Sequence, residues 1–405
     1  MSQEQSNMNW TRRRFLLNGL KVSALVPALP HMGLARALTA EREPRGDRVL
    51  VVLQLSGGND GLNMVVPHRL DDYYRGRPTL ALKPQSLHAL DEDHGLHPSM
   101  SALAKQYQAG RVAVVQGVGS ANPDRSHFRS MEVWHTAEPS APAGEVGWLG
   151  KLADQLSLAD PLGIPAMSLD DQDLPLSLRA ERVQAPTVRD PRGYHLQGNA
   201  RRISQAQREL CTEPAQGDLG FLRQAARSAF DTADRMQALT QVPRDASYPA
   251  SALSRKLRLV SDLVHGGFGT RIFHLSLGGF DTHARQARLH EALLGDVSRS
   301  LSAFASDLEA GGFGEQVTTL VFSEFGRRVK ENGSMGTDHG RAAPVMLMGG
   351  AVHGGMHGTA PNLDQLVDGD LLTAHDFRSI YSTLEHDWLG LQAGTSVEGM
   401  KGLIS

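Results

Sequence analysis

Cysteine is almost absent from this chain: Cys211 is the only one in 405 residues. That excludes an internal disulfide and a zinc site built on thiolates. Charge of one sign is not in excess either, with 41 Lys and Arg against 44 Asp and Glu and a formal net charge of −3. Beyond the N-terminal segment there is no basic run, so nothing makes an electrostatic case for a nucleic-acid partner. Also missing are a glycine-rich dinucleotide fingerprint, an internal repeat and a low-complexity tract. The one N-terminal apolar segment carries Asn18, Lys21 and two prolines, and is too short and interrupted to span a bilayer stably. What the chain does have is an ordinary globular composition, 40% hydrophobic and 21% charged, with 17 histidines, many beside Gly, Asp or Asn. Any metal site must therefore be built from imidazole and carboxylate.

The N-terminus reads as an address. Arg12-Arg13-Arg14-Phe15-Leu16 leads into the weakly apolar segment and on to the small-x-small site Ala35-Arg36-Ala37. This resembles a twin-arginine export signal over residues 1–37, the alternative being a basic amphipathic helix. The resemblance implies passage through the twin-arginine translocase, a mature chain of residues 38–405, and a periplasmic or secreted location. That route moves folded proteins, which suits one that takes up its metal before crossing.

Continuous apolar runs recur at Val49–Leu55, Arg111–Val118, Arg271–Leu277, Val317–Phe322 and Ala343–Met348. Such runs suit strands buried on both faces, and helical patterns lie between them, notably from Ala287 to Leu308. The alternation predicts a doubly wound, mostly parallel α/β sheet with helices on both faces. Residues from about 140 to 249 are less regular, with one weak strand in "IPAMSL", and read as an insertion or cap.

In open parallel sheets the ligand crevice lies at the carboxyl ends of the strands. After the first run stand Asn59 and Asp60, in a Gly-rich stretch that serves equally as a turn. After the second come Asp124, Ser126 and His127, and Ser126 is either a helix N-cap or a hydroxyl placed for nucleophilic attack. After the third, Asp281 and His283 are two apart, so an extended backbone aims both at one ion; the competing role for Asp281 is capping the next helix. After the fourth comes Glu324, with Arg327 and Arg328 in reach as ion-pair partners. Asp338 and His339 precede the fifth. His94, His97, His353 and His357 are further imidazoles that could line the cleft, although loop positions suit them equally.

Taken together, "LSGGNDGLN", "DRSHF", "GGFDTH" and "SEFGRR…DHG" behind such a signal resemble DUF1501, a bacterial exported family of unknown function. That family is similar to the alkaline phosphatase superfamily, which includes the sulfatases. The resemblance covers nearly the whole mature chain. It implies an alkaline phosphatase-like domain using one or two divalent ions, zinc, manganese or similar, to hydrolyse small anionic phosphate or sulfate esters. Carried over by position, Ser126 is the candidate nucleophile; in the hydrolase this implies, Arg327 or the amides at the start of the helix steady developing charge. Asp60, Asp281, His283, Glu324 and His339 are the candidate ligands. Asn59, His127 and Asp338 fall in the layer behind, with Asp338 orienting an imidazole. A second alignment takes Asp338-His339 as the superfamily's Asp-His pair and His353 or His357 as the last ligand. The preferred one places Glu324 at the strand end. It leaves Phe325 where the superfamily has a histidine, so a second ion lacks a ligand. The competing function is a non-catalytic binding or assembly protein that keeps the fold with an incomplete site.

Overall fold

The computed structural model describes residues 47–140, 144–160, 163–170, 173–188, 209, 217–391 and 395–405. The export-signal motif and Cys211 lie outside the described residues. The chain divides into two units, one of residues 47–193 and 238–405, the other of residues 1–46 and 194–237. The described part of the second is helical, and its helix, Gly217–Thr240, ends in the first.

Within the larger unit the elements run β1 (Val49–Leu55), α1 (Ser101–Gln108), β2 (Val112–Gly119), α2 (His127–Thr136), α3 (Trp148–Ala159), β3 (Ala166–Ser168), α4 (Ala252–His265), β4 (Ile272–Leu277) and α5 (Gln286–Ala310). Then follow β5 (Val317–Phe322), β6 (Arg327–Glu331), β7 (Thr337–His339), β8 (Ala343–Met348), β9 (Gly355–Gly358), β10 (His375–Asp376) and α6 (Phe377–Thr383). The sheet has eight strands in the order β9-β2-β8-β5-β1-β4-β3, with β10 also on β2. β1 pairs in parallel with β4 and β5, as do β3 with β4 and both β9 and β10 with β2. Only β8 runs against its neighbours, β2 and β5. The five apolar runs and the weak strand in "IPAMSL" all enter this sheet, so the α/β fold with a mostly parallel sheet and flanking helices holds.

Every residue of β1 and β5 is buried, as continuous apolar runs require of strands covered on both faces. Leu50 and Val52 join one core cluster with residues of α2, α3 and α6, while Val51 and Leu53 point the other way and are buried too. Elsewhere α5 packs against α4 and α1. In the cluster, Trp134 of α2 stacks on Phe322 at 4.8 Å and on Phe377 at 4.3 Å. Each such aromatic pair adds about 0.5–1.5 kcal/mol beyond area burial. The stack fastens α2 to the last residue of β5, and so sets His127 and Glu324 at one end of the sheet. No helix among the described residues is long and apolar enough to cross a membrane.

One core carboxyl carries a measurable consequence. Glu385, just past α6, is buried, and burial pushes it from its ordinary value of 4.5 up to about 7 despite a hydrogen bond from Thr395 and the charge of Lys151. The unfolded chain releases this proton near 4.5 and the folded chain near 7, so the folded state loses ground as pH rises between the two. Glu385→Gln is expected to flatten that slope. It should gain on the order of 2–3 kcal/mol over wild type by pH 8 and nothing below pH ~4.5. Urea midpoints measured across pH check this, and a constant offset between the two proteins would refute it.

Candidate metal centre

Four loops meet at the carboxyl ends of β1, β2, β4 and β5. The turn after β1 is Gly57-Gly58, with φ of +121° and +74°, a backbone that side chains rarely adopt. A Cβ on Gly57 would stand 2.4 Å from the Asp281 amide nitrogen, so the loop after β4 can lie against the turn only because glycine is there. Arg327, at the start of β6, is 2% exposed and ties these loops together. Its guanidinium donates to the carbonyls of Gly57, Gly58, Phe280 and Thr337, and to Asp281 Oδ1 at 2.8 Å.

The polar stretch between β5 and β8 is not an irregular loop: β6 and β7 pair as an antiparallel hairpin with His339 opposite Arg327. Because β8 is antiparallel, the residue that precedes it lies at the same end of the sheet as the residues that follow the other strands. His339 enters the centre for that reason.

Three side chains, His127, Asp281 and His339, bring one ligand atom each to within 4.8 Å of one another. Asp281 Oδ1 lies 3.0 Å from His339 Nε2 and 3.5 Å from His127 Nε2. His283 lies outside that group but against two of its members, its Nε2 being 3.1 Å from Asp281 Oδ1 and 2.9 Å from His339 Nε2. Bonds of roughly 2.0–2.2 Å to a shared ion would separate neighbouring ligand atoms by about 3–3.5 Å.

The opposite ring nitrogens anchor the imidazoles. His127 Nδ1 donates to Glu324 Oε1 at 2.8 Å, and His339 Nδ1 donates to the Arg125 carbonyl at 2.8 Å. His283 Nδ1 donates to Asp338 Oδ1 at 3.3 Å. Carboxylates and carbonyls only accept, so each Nδ1 carries a proton and each ring turns its Nε2 inward, where Nε2 of His283 and His339 lies against Asp281 Oδ1 and a cation would take the place of the protons shared there. His127 Nε2 is buried with no hydrogen-bond partner. Lone pairs of His283 and His339 facing each other at 2.9 Å repel unless a proton or a cation lies among them.

The field suits a cation. Burial opposes ionisation of Asp281, but hydrogen bonds from His339 and Arg327 and the Arg327 charge outweigh it and hold the carboxyl at about 2. The hydrogen bond to Glu324 raises His127 above its ordinary value against the effect of burial. Phe325 packs on two of the imidazoles, with ring centres 4.9 Å from His127 and 4.7 Å from His339.

Other candidates are engaged elsewhere. Asp60 is fully buried in an ion pair with Arg77 Nη1 at 2.6 Å and also accepts from Gln286. That pairing lowers its pKa although burial alone would raise it. Asn59 Oδ1 accepts from His290 Nε2 at 2.9 Å. Glu324 accepts from the Gly57 amide at 2.8 Å and from His127, and so stands behind an imidazole. Arg327 spends its donors on backbone and on Asp281, and bears on the centre through that carboxylate. Ser126 is exposed at the start of α2 in extended conformation, and its side chain makes no capping bond. His94 pairs with Asp91 and His97 with Ser99, while His353 meets Ser405 and His357 the His353 carbonyl. Sequence alone offered one signal for His127 as a cluster member, its place at the first turn of a helix after an apolar strand.

Comparison with known proteins adds context. A sulfatase from Pseudoalteromonas sp. is similar over 88% of this chain and 71% of its own, at 12% identity and a TM-score of 0.40. The zinc complex of the C-terminal periplasmic domain of EptC from Escherichia coli is similar over 87% of this chain and 85% of its own, at 10% identity and a TM-score of 0.41. Murine ectonucleotide pyrophosphatase/phosphodiesterase 5, in an inactive form with AMP, is similar over 89% of this chain and 100% of its own, at 9% identity and a TM-score of 0.42. Identities this low say nothing of activity. No curated protein matches the sequence. A family model does match, across residues 47–389 and therefore every side chain of the centre, and the chain belongs to that family, DUF1501, proteins of unknown function.

Proposed function

We propose that His127, Asp281, His283 and His339 hold one divalent transition-metal ion, and that the protein is an exported metal-dependent hydrolase of phosphate or sulfate esters. The observation that carries the reading is the set of three Nε2 atoms gathered at one carboxylate oxygen, with every Nδ1 anchored behind. Nitrogen donors with one carboxylate suit zinc, manganese or iron. Such an ion supplies Lewis-acid polarisation of an ester oxygen and a more acidic hydroxyl or water nearby.

The chain's own residues do the rest. Glu324, Asp338 and the Arg125 carbonyl hold the imidazoles with Nε2 turned inward. Arg327 keeps Asp281 ionised and in place. Ser126, one residue before His127 and free of capping duty, is the candidate nucleophile. Export by the twin-arginine route, read from residues 1–37, accounts for assembling a metal centre before translocation.

The test combines metal analysis of the purified protein with assays on p-nitrophenyl phosphate and sulfate. Asp281→Ala is expected to lose both metal and hydrolysis. Ser126→Ala should keep the metal and lose at least about 100-fold in rate. Full activity in Ser126→Ala would remove the serine from the mechanism and leave water as nucleophile. A second reading, a non-catalytic binding or assembly protein that keeps the fold with an incomplete site, is favoured by Phe325, which packs on His127 and His339 where the resembled superfamily has a histidine. Bound metal without turnover of either ester would support it.

A further inference from the structure

Beside the centre lies a second group of charges. Asp370 is completely buried, 2.6 Å from Arg125 Nη2, 3.3 Å from Arg341 Nε and 3.6 Å from Arg328 Nε. One carboxylate cannot saturate three guanidiniums, each of which carries several N–H donors in a rigid fork. Arg125 gives Nε and Nη2 to Asp370 and reaches the Asp368 carbonyl, and Arg341 Nη2 donates to Asp368 Oδ2 at 3.0 Å. Arg328 Nε and Asp370 Oδ1 face each other at 3.6 Å as an ion pair, too long for a hydrogen bond, and neither atom has a hydrogen-bond partner.

Three positive charges stand against Asp370, the largely exposed Asp368 and, through Arg328, Asp338, so the group holds N–H donors in excess rather than charge. Nearby, Arg328 also acts on Asp338, whose side chain is exposed. All three arginine side chains remain partly open to solvent, so the excess faces outward.

The same residues are tied to the centre. The Arg125 carbonyl anchors His339 and Ser126 follows it, Arg328 follows Arg327, and Arg341 stands two residues after His339. A purely structural pin for Asp370 would need one guanidinium. Three, with donors left over, make a fork that matches a tetrahedral oxyanion or a carboxylate.

We infer that Arg125, Arg328 and Arg341, gathered by Asp370, form an anion subsite beside the metal centre, which takes a second anionic group of the substrate. This deepens the proposed function by narrowing the substrate class to esters that carry at least two anionic groups.

The test separates the two readings by titrating metal-free protein, at low salt, with sodium sulfate, phosphate and malonate in a calorimeter. Wild type is expected to bind one anion per chain, more weakly as salt rises. Arg328→Gln removes no hydrogen bond made by the described residues, and with Arg341→Gln it should weaken anion binding at least about 10-fold. Zinc affinity should stay unchanged, and circular dichroism of the single and double variants reports folding. Arg341→Lys should retain part of the binding. Sulfate and phosphate bound above malonate would mark a tetrahedral group, and the reverse order a carboxylate. Equal sulfate affinity in wild type and the folded double variant, or none in either, overturns the subsite whatever the metal does. Anion binding lost in the double variant, in a protein that takes up no zinc, keeps the subsite and removes the metal centre.

Discussion

Zinc is expected to raise the unfolding temperature of the wild-type protein and to leave that of a His339→Ala variant where it is. A ligand that binds only the folded chain stabilises it by about 2.7 kcal/mol at a free concentration 100 times its dissociation constant. In a chain of this size that is a shift of a few degrees. His339 is the most consequential single candidate ligand to remove. Its Nε2 touches both Asp281 Oδ1 and His283 Nε2, and its ring backs Phe325 and His127. Alanine there also strips the Arg125 carbonyl of its donor, loosening the loop that leads to Ser126. Metal affinity should fall at least about 100-fold, since fewer ligands remain and the pre-set geometry is lost. His283→Ala should cost less, because that side chain is 45% exposed where His339 is 20%. Equal thermal shifts with zinc in wild type and in both variants would end the single-centre reading.

The second large effect concerns the buried pair Asp60–Arg77. Both side chains are wholly inaccessible, and Arg77 also donates to the carbonyls of Arg328 and Val329 and to Asn63 Oδ1. Arg77→Met leaves a carboxylate with no counter-charge in the interior and should cost about 3–5 kcal/mol, read as the shift in urea midpoint. Asp60→Asn in the same chain should recover part of that loss, because the uncompensated charge is then gone. The pair also discriminates roles for Asp60. As the partner of Arg77 and Gln286, it can be replaced by Asn with zinc affinity kept within about 3-fold in the folded protein; as a ligand of the ion it cannot. A large loss of zinc in well-folded Asp60→Asn would return Asp60 to the metal.

Much of the architecture was legible in the chain because burial on both faces is a local property of sequence. The runs at Val49–Leu55, Val317–Phe322 and Ala343–Met348 coincide with strands residue for residue. The edge strands β9, "GMHG", and β10, "HD", carry no such signal, since a short strand at a sheet margin buries too little to demand apolar side chains. The β6–β7 hairpin was hidden for a related reason, its residues being mostly charged or polar.

For the centre, sequence alone could gather acids and histidines at the ends of apolar runs, because glycine-rich turns there signal a sharp change of chain direction. Asp281, His283 and His339 could be named that way. It could not say which nitrogen of a histidine faces inward, since that depends on what the other nitrogen meets, here Glu324, Asp338 or a carbonyl from another loop. Nor could it tell that Asp60 faces Arg77 across 17 residues of chain, or that β8 reverses direction and so delivers His339. Composition and pattern determined that this protein has an α/β sheet and only imidazole and carboxylate for a metal. Tertiary structure alone decided how the candidate ligands come together, because distances between residues far apart in sequence are set by packing, which no local stretch encodes.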